Sequence, residues 1–200
     1  MRKQNLFELT TKVRKITGEL PIIVGSQAIF AITDVPPEIV RKSVECDILL
    51  LKNLAKMRPK LDEKLGIFSE HQQKTGFYAD ILGLATVVLP DGWEKRIVEL
   101  KDENNKIAAY CVEIHDVAVS KLMAGREKDF EFLQIAFQAE YLQIETFLER
   151  AQKIMRQSAS AALLPRLQKL IEIFKKIDDL REINGKLREF EYKIKDENKQ

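Results

Sequence analysis

Apolar and polar positions change their spacing several times along the chain, and each spacing predicts a different element. Leu6, Leu9, Val13 and Ile16 recur at intervals of three and four, which predicts a surface helix over 5–17 with one apolar stripe. Gly18 is placed to end it. The run Leu20-Pro21-Ile22-Ile23-Val24 is continuously apolar and short, as a buried strand is, and Gly25 bounds it. Ser26 then opens a short helical segment, and Asp34–Pro37 reads as a loop. A second buried strand spans 44–51, with two acids set into it. Residues 52–73 are helical in pattern, with Pro59 and Gly66 as interruptions.

Strand-like runs follow at 77–82, 85–89, 95–100 and 107–113. Asp91-Gly92 and Asn104-Asn105 supply turns between them, so this group is expected to be antiparallel. From His115 the pattern is helical to the end of the chain. The order implies an α+β fold: a small mixed sheet with flanking helices, followed by a C-terminal helical extension. The expected division is a domain over 1–142 and a helical region over 143–200.

The last stretch has its own period. Leu163, Leu167, Leu170, Phe174 and Ile177 are spaced 4-3-4-3, and Leu180, Ile183, Leu187, Phe190 and Ile194 continue it after a discontinuity near 180. Such a seam packs on a neighbouring helix of the same chain or on a second chain. A homodimer or a protein partner held by these helices is therefore one expectation. Asn184-Gly185 is a candidate break, since a mid-helix glycine costs about 1 kcal/mol relative to alanine.

Composition narrows the class. Lys and Arg total 33 against 31 Asp and Glu, a net charge of +2, so no overall charge drives the chain onto nucleic acid. The two cysteines, Cys46 and Cys111, lie in strand-like runs, and two are too few for an extracellular disulfide framework. No apolar run reaches the roughly 20 residues of a membrane span, and the N-terminal stretch lacks a secretory core. The expectation is a cytoplasmic protein with reduced thiols and no membrane partner. Neither His71 nor His115 sits in a cluster with zinc-ligand spacing.

Two constellations carry chemistry. A strand that ends in Gly25-Ser26 and turns into a helix aims backbone N–H groups, a hydroxyl and a positive helix end at one point, which suits phosphate. The plain alternative is an ordinary strand exit and helix cap. Glu45-Cys46-Asp47 places two carboxylates on one face of an apolar strand. Burying such a pair is costly unless a cation binds it, and a divalent metal carrying nucleotide phosphates is the usual occupant. The alternative is pairing with Arg or Lys near a strand end.

Together, a Gly-Ser turn, about twenty residues, then acid-x-acid in the next strand resembles the skeleton of the nucleotidyltransferase superfamily. The segment His115–Asp129, ending in Ala124-Gly125-Arg126-Glu127-Lys128-Asp129, resembles the signature of a bacterial nucleotidyltransferase-like family similar to AbiEii-type toxins of toxin–antitoxin systems. VGSQAI, SVECDILL, HQQKTGFYADILG and LPDGWEKRIVEL resemble it in the same order, over roughly 20–140. The resemblance implies that Gly25 and Ser26 hold nucleotide phosphates and that Glu45 and Asp47 coordinate Mg2+. It further implies that Lys121 reaches phosphate or base, supported by Arg126 and Asp129. Asp80 is the candidate third acid and metal ligand, with Glu113 next.

One departure matters: active members usually carry Asp first, where this chain has Glu45. Two function classes follow. One is an enzyme that transfers a nucleoside monophosphate from an NTP to an RNA or protein hydroxyl, with Glu45, Asp47 and Lys121 catalytic. The other is a catalytically degenerate module that binds nucleotide or protein. Phe68, Phe77 and Tyr78 flank the candidate site and read as core aromatics, with base stacking as the alternative. Asp116, near a helix start, suits the dipole of that helix.

Overall fold

The computed structural model describes residues 1–197. The chain forms two compact units. The first comprises 1–87 and 93–113, and the second comprises 88–92 and the chain from Ile114 onward. The sequence places the division at 142, whereas the packing divides the chain between Glu113 and Ile114.

The first unit holds α1 (Lys3–Thr17), β1 (Ile22–Ile23), a 3-10 turn over Ser26–Ala31, α2 (Glu38–Lys42), β2 (Glu45–Leu49), α3 (Leu54–Leu65), α4 (Glu70–Thr75), β3 (Tyr78–Leu82), β4 (Val98–Lys101) and β5 (Ile107–Cys111). The strands form one mixed sheet in the order β3-β2-β1-β5-β4. β1 runs antiparallel to β2 and parallel to β5, β2 runs parallel to β3, and β4 and β5 are antiparallel. Leu6, Leu9 and Val13 bury the apolar stripe of α1, and Gly18 ends the helix at φ 79°, as its position in the sequence implies.

Three expectations fail here. The group after residue 77 is not all antiparallel, because β3 lies parallel to β2. Two parallel strands need a long connection between them, and α3 and α4 supply it. Residues 85–89 form no strand: 84–86 make a 3-10 turn. The sheet passes from β3 directly to β4 in chain order, with no strand over 85–89 among its five. Pro59 does not interrupt its helix, since α3 runs unbroken from Leu54 to Leu65. The carbonyl freed by proline's missing N–H belongs to Ala55, an exposed residue that water can satisfy.

The second unit is helical: α5 (Ile114–Ala124), α6 (Glu127–Gln138), α7 (Ile144–Ile154), α8 (Leu163–Phe174) and α9 (Arg181–Glu197), with 3-10 turns at 158–162 and 178–180. α5 is buried over most of its length because it is apolar nearly all round, and α6, α7 and α8 pack against it. Phe137 stands edge-on to both Phe147 and Phe174, with centroids 5.4 and 5.7 Å apart.

The heptad-like seam forms two helices, parted between Phe174 and Arg181 at the discontinuity near 180, whereas Asn184-Gly185 is no break, since α9 runs straight through it. Leu163, Leu167, Leu170, Phe174, Leu187, Phe190 and Ile194 are all buried within this unit, where α8 packs on α9. The chain's own hairpin therefore covers the seam. Asn184 is buried with its Oδ1 lacking a hydrogen-bond partner. Leaving a buried polar atom unmade costs about 1–3 kcal/mol. Asn184→Leu is therefore expected to raise stability by about 1 kcal/mol, seen as a higher urea midpoint with an unchanged slope. Among the described residues no helix is long and apolar enough to cross a membrane.

Candidate functional site

The candidate chemistry in the first unit lies on one face of β2 and β3. Alternation on β2 turns Glu45 and Asp47 to the same side and buries Cys46 opposite them. β3 repeats the pattern, with Tyr78 and Asp80 on one side and Ala79 and Ile81 buried. The parallel register sets Glu45 beside Tyr78 and Asp47 beside Asp80. Two pairs thus stand one same-face step apart, about 7 Å along the strands.

Gly25 closes the other side of Asp47. Its backbone, at φ −95° and ψ −163°, is open to any residue, so conformation does not call for glycine here. Space does. A Cβ at this position would fall 1.7 Å from Oδ2 of Asp47 and 2.9 Å from its Cβ. The missing side chain is the room in which the Asp47 carboxylate sits. Val24 N–H donates to the Asp47 carbonyl at 3.0 Å and fixes the two strands at that point. Ser26 opens the 3-10 turn, half-exposed, and Ala28 N–H closes that turn on the Gly25 carbonyl at 3.0 Å.

Tyr78, which the sequence sets beside the site as a core aromatic or a base-stacking ring, joins it through its hydroxyl. Its hydroxyl donates to Glu45 Oε2 at 3.0 Å. Burial, that hydrogen bond and the charge of Glu45, with smaller contributions from Asp80 and Asp47, push the phenol up to about 12. All three acids thus bear on one hydroxyl. The signal was present in the chain: Tyr78 and Asp80 share the i, i+2 spacing of Glu45 and Asp47. Phe68, by contrast, is 81% exposed and adopts a left-handed backbone at φ 67°, so it is no core aromatic.

Among the described residues no three His, Cys, Asp or Glu side chains gather into a group that would cage a metal ion by themselves. The donors fit a narrower role. Mg2+ keeps several waters and is usually held through one or two carboxylates plus the phosphates of a substrate. Asp47 and Asp80, adjacent in register beside the Gly25 turn, are hard-oxygen donors of that kind. Glu45 differs from them, since one of its oxygens is taken by Tyr78. Glu113 follows β5, two strands away from β2, so Asp80 is the better-placed third acid.

Lys121, Arg126 and Asp129 belong to the second unit and form a cluster of their own. Asp129 is fully buried at the N-terminus of α6. Its Oδ2 accepts from the Arg126 Nε at 2.7 Å and from the Arg126 backbone N–H at 3.2 Å, and its Oδ1 accepts from the Arg126 Nη2 at 3.2 Å. Lys121 Nζ lies 3.0 Å from Oδ1. Burial pushes this carboxyl up, but the Arg126 hydrogen bonds and the Lys121 charge outweigh it and hold it below the usual carboxylate range. Gly125 permits the turn in two ways: its φ is +64°, and the Arg166 guanidinium occupies the place of a Cβ, 2.4 Å from it. Arg166 Nη1 also donates to the Gly125 carbonyl at 3.3 Å.

In the same unit, Asp116 is buried in the first turn of α5 with Arg150 Nε 3.5 Å from its Oδ1, a partner on α7 that its sequence position did not reveal. His115 Nε2 accepts from the backbone N–H of Gln143 at 2.9 Å, so its role is to hold the start of α7.

No curated protein and no solved structure matches the chain. A family model described as a nucleotidyltransferase of unknown function (DUF6036) matches residues 4–177, which takes in both the Gly25–Asp47–Asp80 face and the Lys121–Asp129 turn. The chain belongs to this nucleotidyltransferase family.

Proposed function

We propose that the chain binds a nucleoside triphosphate with Mg2+ and transfers the nucleoside monophosphate to an RNA or protein hydroxyl, in a toxin–antitoxin-like setting. The observation that carries this reading is the Asp47 carboxylate seated in the space left by Gly25, with Asp80 beside it in register. Asp47 and Asp80 would hold the cation that shares the nucleotide's phosphates, and Ser26 with the following turn would receive a phosphate. A Mg2+ ion held by Asp47 and Asp80 would supply positive charge against the leaving pyrophosphate. The chain's own groups fix the triphosphate in place, which is most of what phosphoryl chemistry asks of a protein.

A second reading has its own observation. Glu45, the residue that departs from the usual Asp, is engaged by Tyr78, which suits a degenerate site that binds nucleotide without transferring it.

Labelled transfer separates the two. Each of the four α-labelled NTPs is incubated with Mg2+, the chain, and cellular RNA or protein, beside Asp47→Asn. Label that is lost with Asp47→Asn, in a variant with unchanged circular dichroism, is the expected result. Asp47-dependent nucleotide binding without transfer to any acceptor would establish the degenerate module instead.

A further inference from the structure

The Tyr78–Glu45 pair is a hydroxyl already hydrogen-bonded to a carboxylate. It stands one same-face step, about 7 Å, from the Asp47–Asp80 pair and the Gly25 turn. A hydroxyl acceptor in nucleotidyl transfer needs the same arrangement: an oxygen within reach of the α-phosphorus and a base within hydrogen-bond distance to take its proton. Tyr78 is half-buried rather than sealed in the core, and its strand neighbours Ala79 and Ile81 bury the opposite face. The unusual Glu at position 45 has the extra methylene that lets its carboxylate meet a phenol on the adjacent strand. These residues all lie in the first unit.

We propose that Tyr78 is a self-modification site, whose hydroxyl accepts the nucleoside monophosphate from a triphosphate bound at the Gly25 turn while Glu45 takes the phenolic proton. This rests on the reading that the chain binds and transfers nucleotides. In the step, Tyr78 Oη forms a bond to the α-phosphorus. The bond from that phosphorus to the β-phosphate oxygen breaks, and pyrophosphate leaves with its electron pair. The proton moves from Oη to Glu45 Oε2. The product is a tyrosyl phosphodiester, and no oxidant or reductant is involved. Glu45 Oε2, 3.0 Å from Oη, is placed to take the proton as the new bond forms. Once modified, Tyr78 no longer donates to Glu45, and the nucleotide lies across the acid face, so the modified chain is expected to transfer poorly to external acceptors.

The test uses the full chain, Mg2+ and each of the four NTPs with no other acceptor. Intact mass is expected to rise by one nucleoside monophosphate, and peptide mapping is expected to place it on Tyr78 rather than on Tyr110, Tyr141 or Tyr192. Tyr78→Phe should abolish the adduct while calorimetric binding of a non-hydrolysable NTP analogue stays at the wild-type level. Glu45→Gln keeps an acceptor for the phenol but is no base, and should slow labelling by about 100-fold or more. An adduct on another residue, or Tyr78→Phe labelled at the wild-type rate, overturns the proposal. Asp47-dependent transfer to added RNA or protein with Tyr78 unmodified overturns self-modification and leaves nucleotidyl transfer standing. No analogue binding at all overturns both.

Discussion

Replacing Gly25 with alanine is expected to lower nucleotidyl transfer by about 100-fold or more while the chain stays folded, because a misplacement of about 1 Å at a reacting centre has that effect. The added methyl would fall 1.7 Å from Asp47 Oδ2, and atoms in ordinary contact stand about twice that far apart. The conflict reaches back to the Cβ of Asp47, so a small rotation at the carboxylate end does not relieve it. Asp47 must change rotamer or β2 must move. Either takes the carboxylate away from Asp80. The backbone itself tolerates alanine, since φ is −95°.

Transfer and analogue binding should therefore fall together, with circular dichroism unchanged. A double-mutant cycle with Asp47→Asn sharpens the point. Both changes act through one carboxylate, so their effects should be far from additive. Additive losses, or wild-type transfer by Gly25→Ala, would show that Gly25 serves something other than Asp47.

The second large effect is on stability. Asp129→Ala is expected to cost about 3–5 kcal/mol, the usual result of removing one partner from a buried ion pair. Asp129 is fully buried, and Lys121 is only 12% exposed, so the lysine charge is left without its carboxylate in a poorly hydrated place. The same change removes the acceptor for the Arg126 backbone N–H that opens α6. Chemical denaturation of the folded variant at neutral pH measures the loss. Asp129→Leu combined with Lys121→Met should recover much of it, because an apolar pair of similar volume carries no unpaired charge. A loss under about 1 kcal/mol would mean that water reaches the cluster.

The pH dependence follows from the sign of the shift. The folded carboxyl is held below its ordinary value, so the unfolded chain binds the proton more readily. The stability that Asp129 contributes is complete above the ordinary carboxylate value near 4. It is lost as pH falls through the lower folded value. Wild type should therefore lose stability over that acid range more steeply than Asp129→Ala, which has already lost this carboxyl.

Much of the fold was legible along the chain because it rests on local periodicity. The three-and-four spacing of Leu6, Leu9 and Val13 gave α1, and Gly18 gave its end. The buried strand carrying Glu45 and Asp47 was legible because its apolar run is short and its acids stand two apart. The helical second half followed from the same kind of spacing. The failures were of another kind. Residues 85–89 have the composition of a strand, but a strand exists only where a partner ladder is available, and that is decided far away in sequence. The discontinuity near 180 in the seam over 163–194 marks where the chain turns, but spacing did not show that α8 and α9 cover each other's apolar stripes.

The candidate site divides in the same way. Residue types and spacing named Gly25, Ser26, Glu45 and Asp47, with two-residue alternation putting the two acids on one face, and the family resemblance added Asp80. Alternation says nothing about which strand lies alongside. Register decided that Asp80 stands beside Asp47, that Tyr78 meets Glu45, and that Glu113 lies two strands off. Likewise, the Gly125–Asp129 run was visible as a motif, but close packing alone showed Asp129 buried between Lys121 and Arg126, and Arg166 lying over Gly125. The sequence by itself determined the helices, the strands that carry the acids and the chemical groups on them, since those depend on neighbours a few residues apart. The tertiary structure decided which groups meet and why Gly25 must be glycine, since both depend on contacts between strands twenty or more residues apart in the chain.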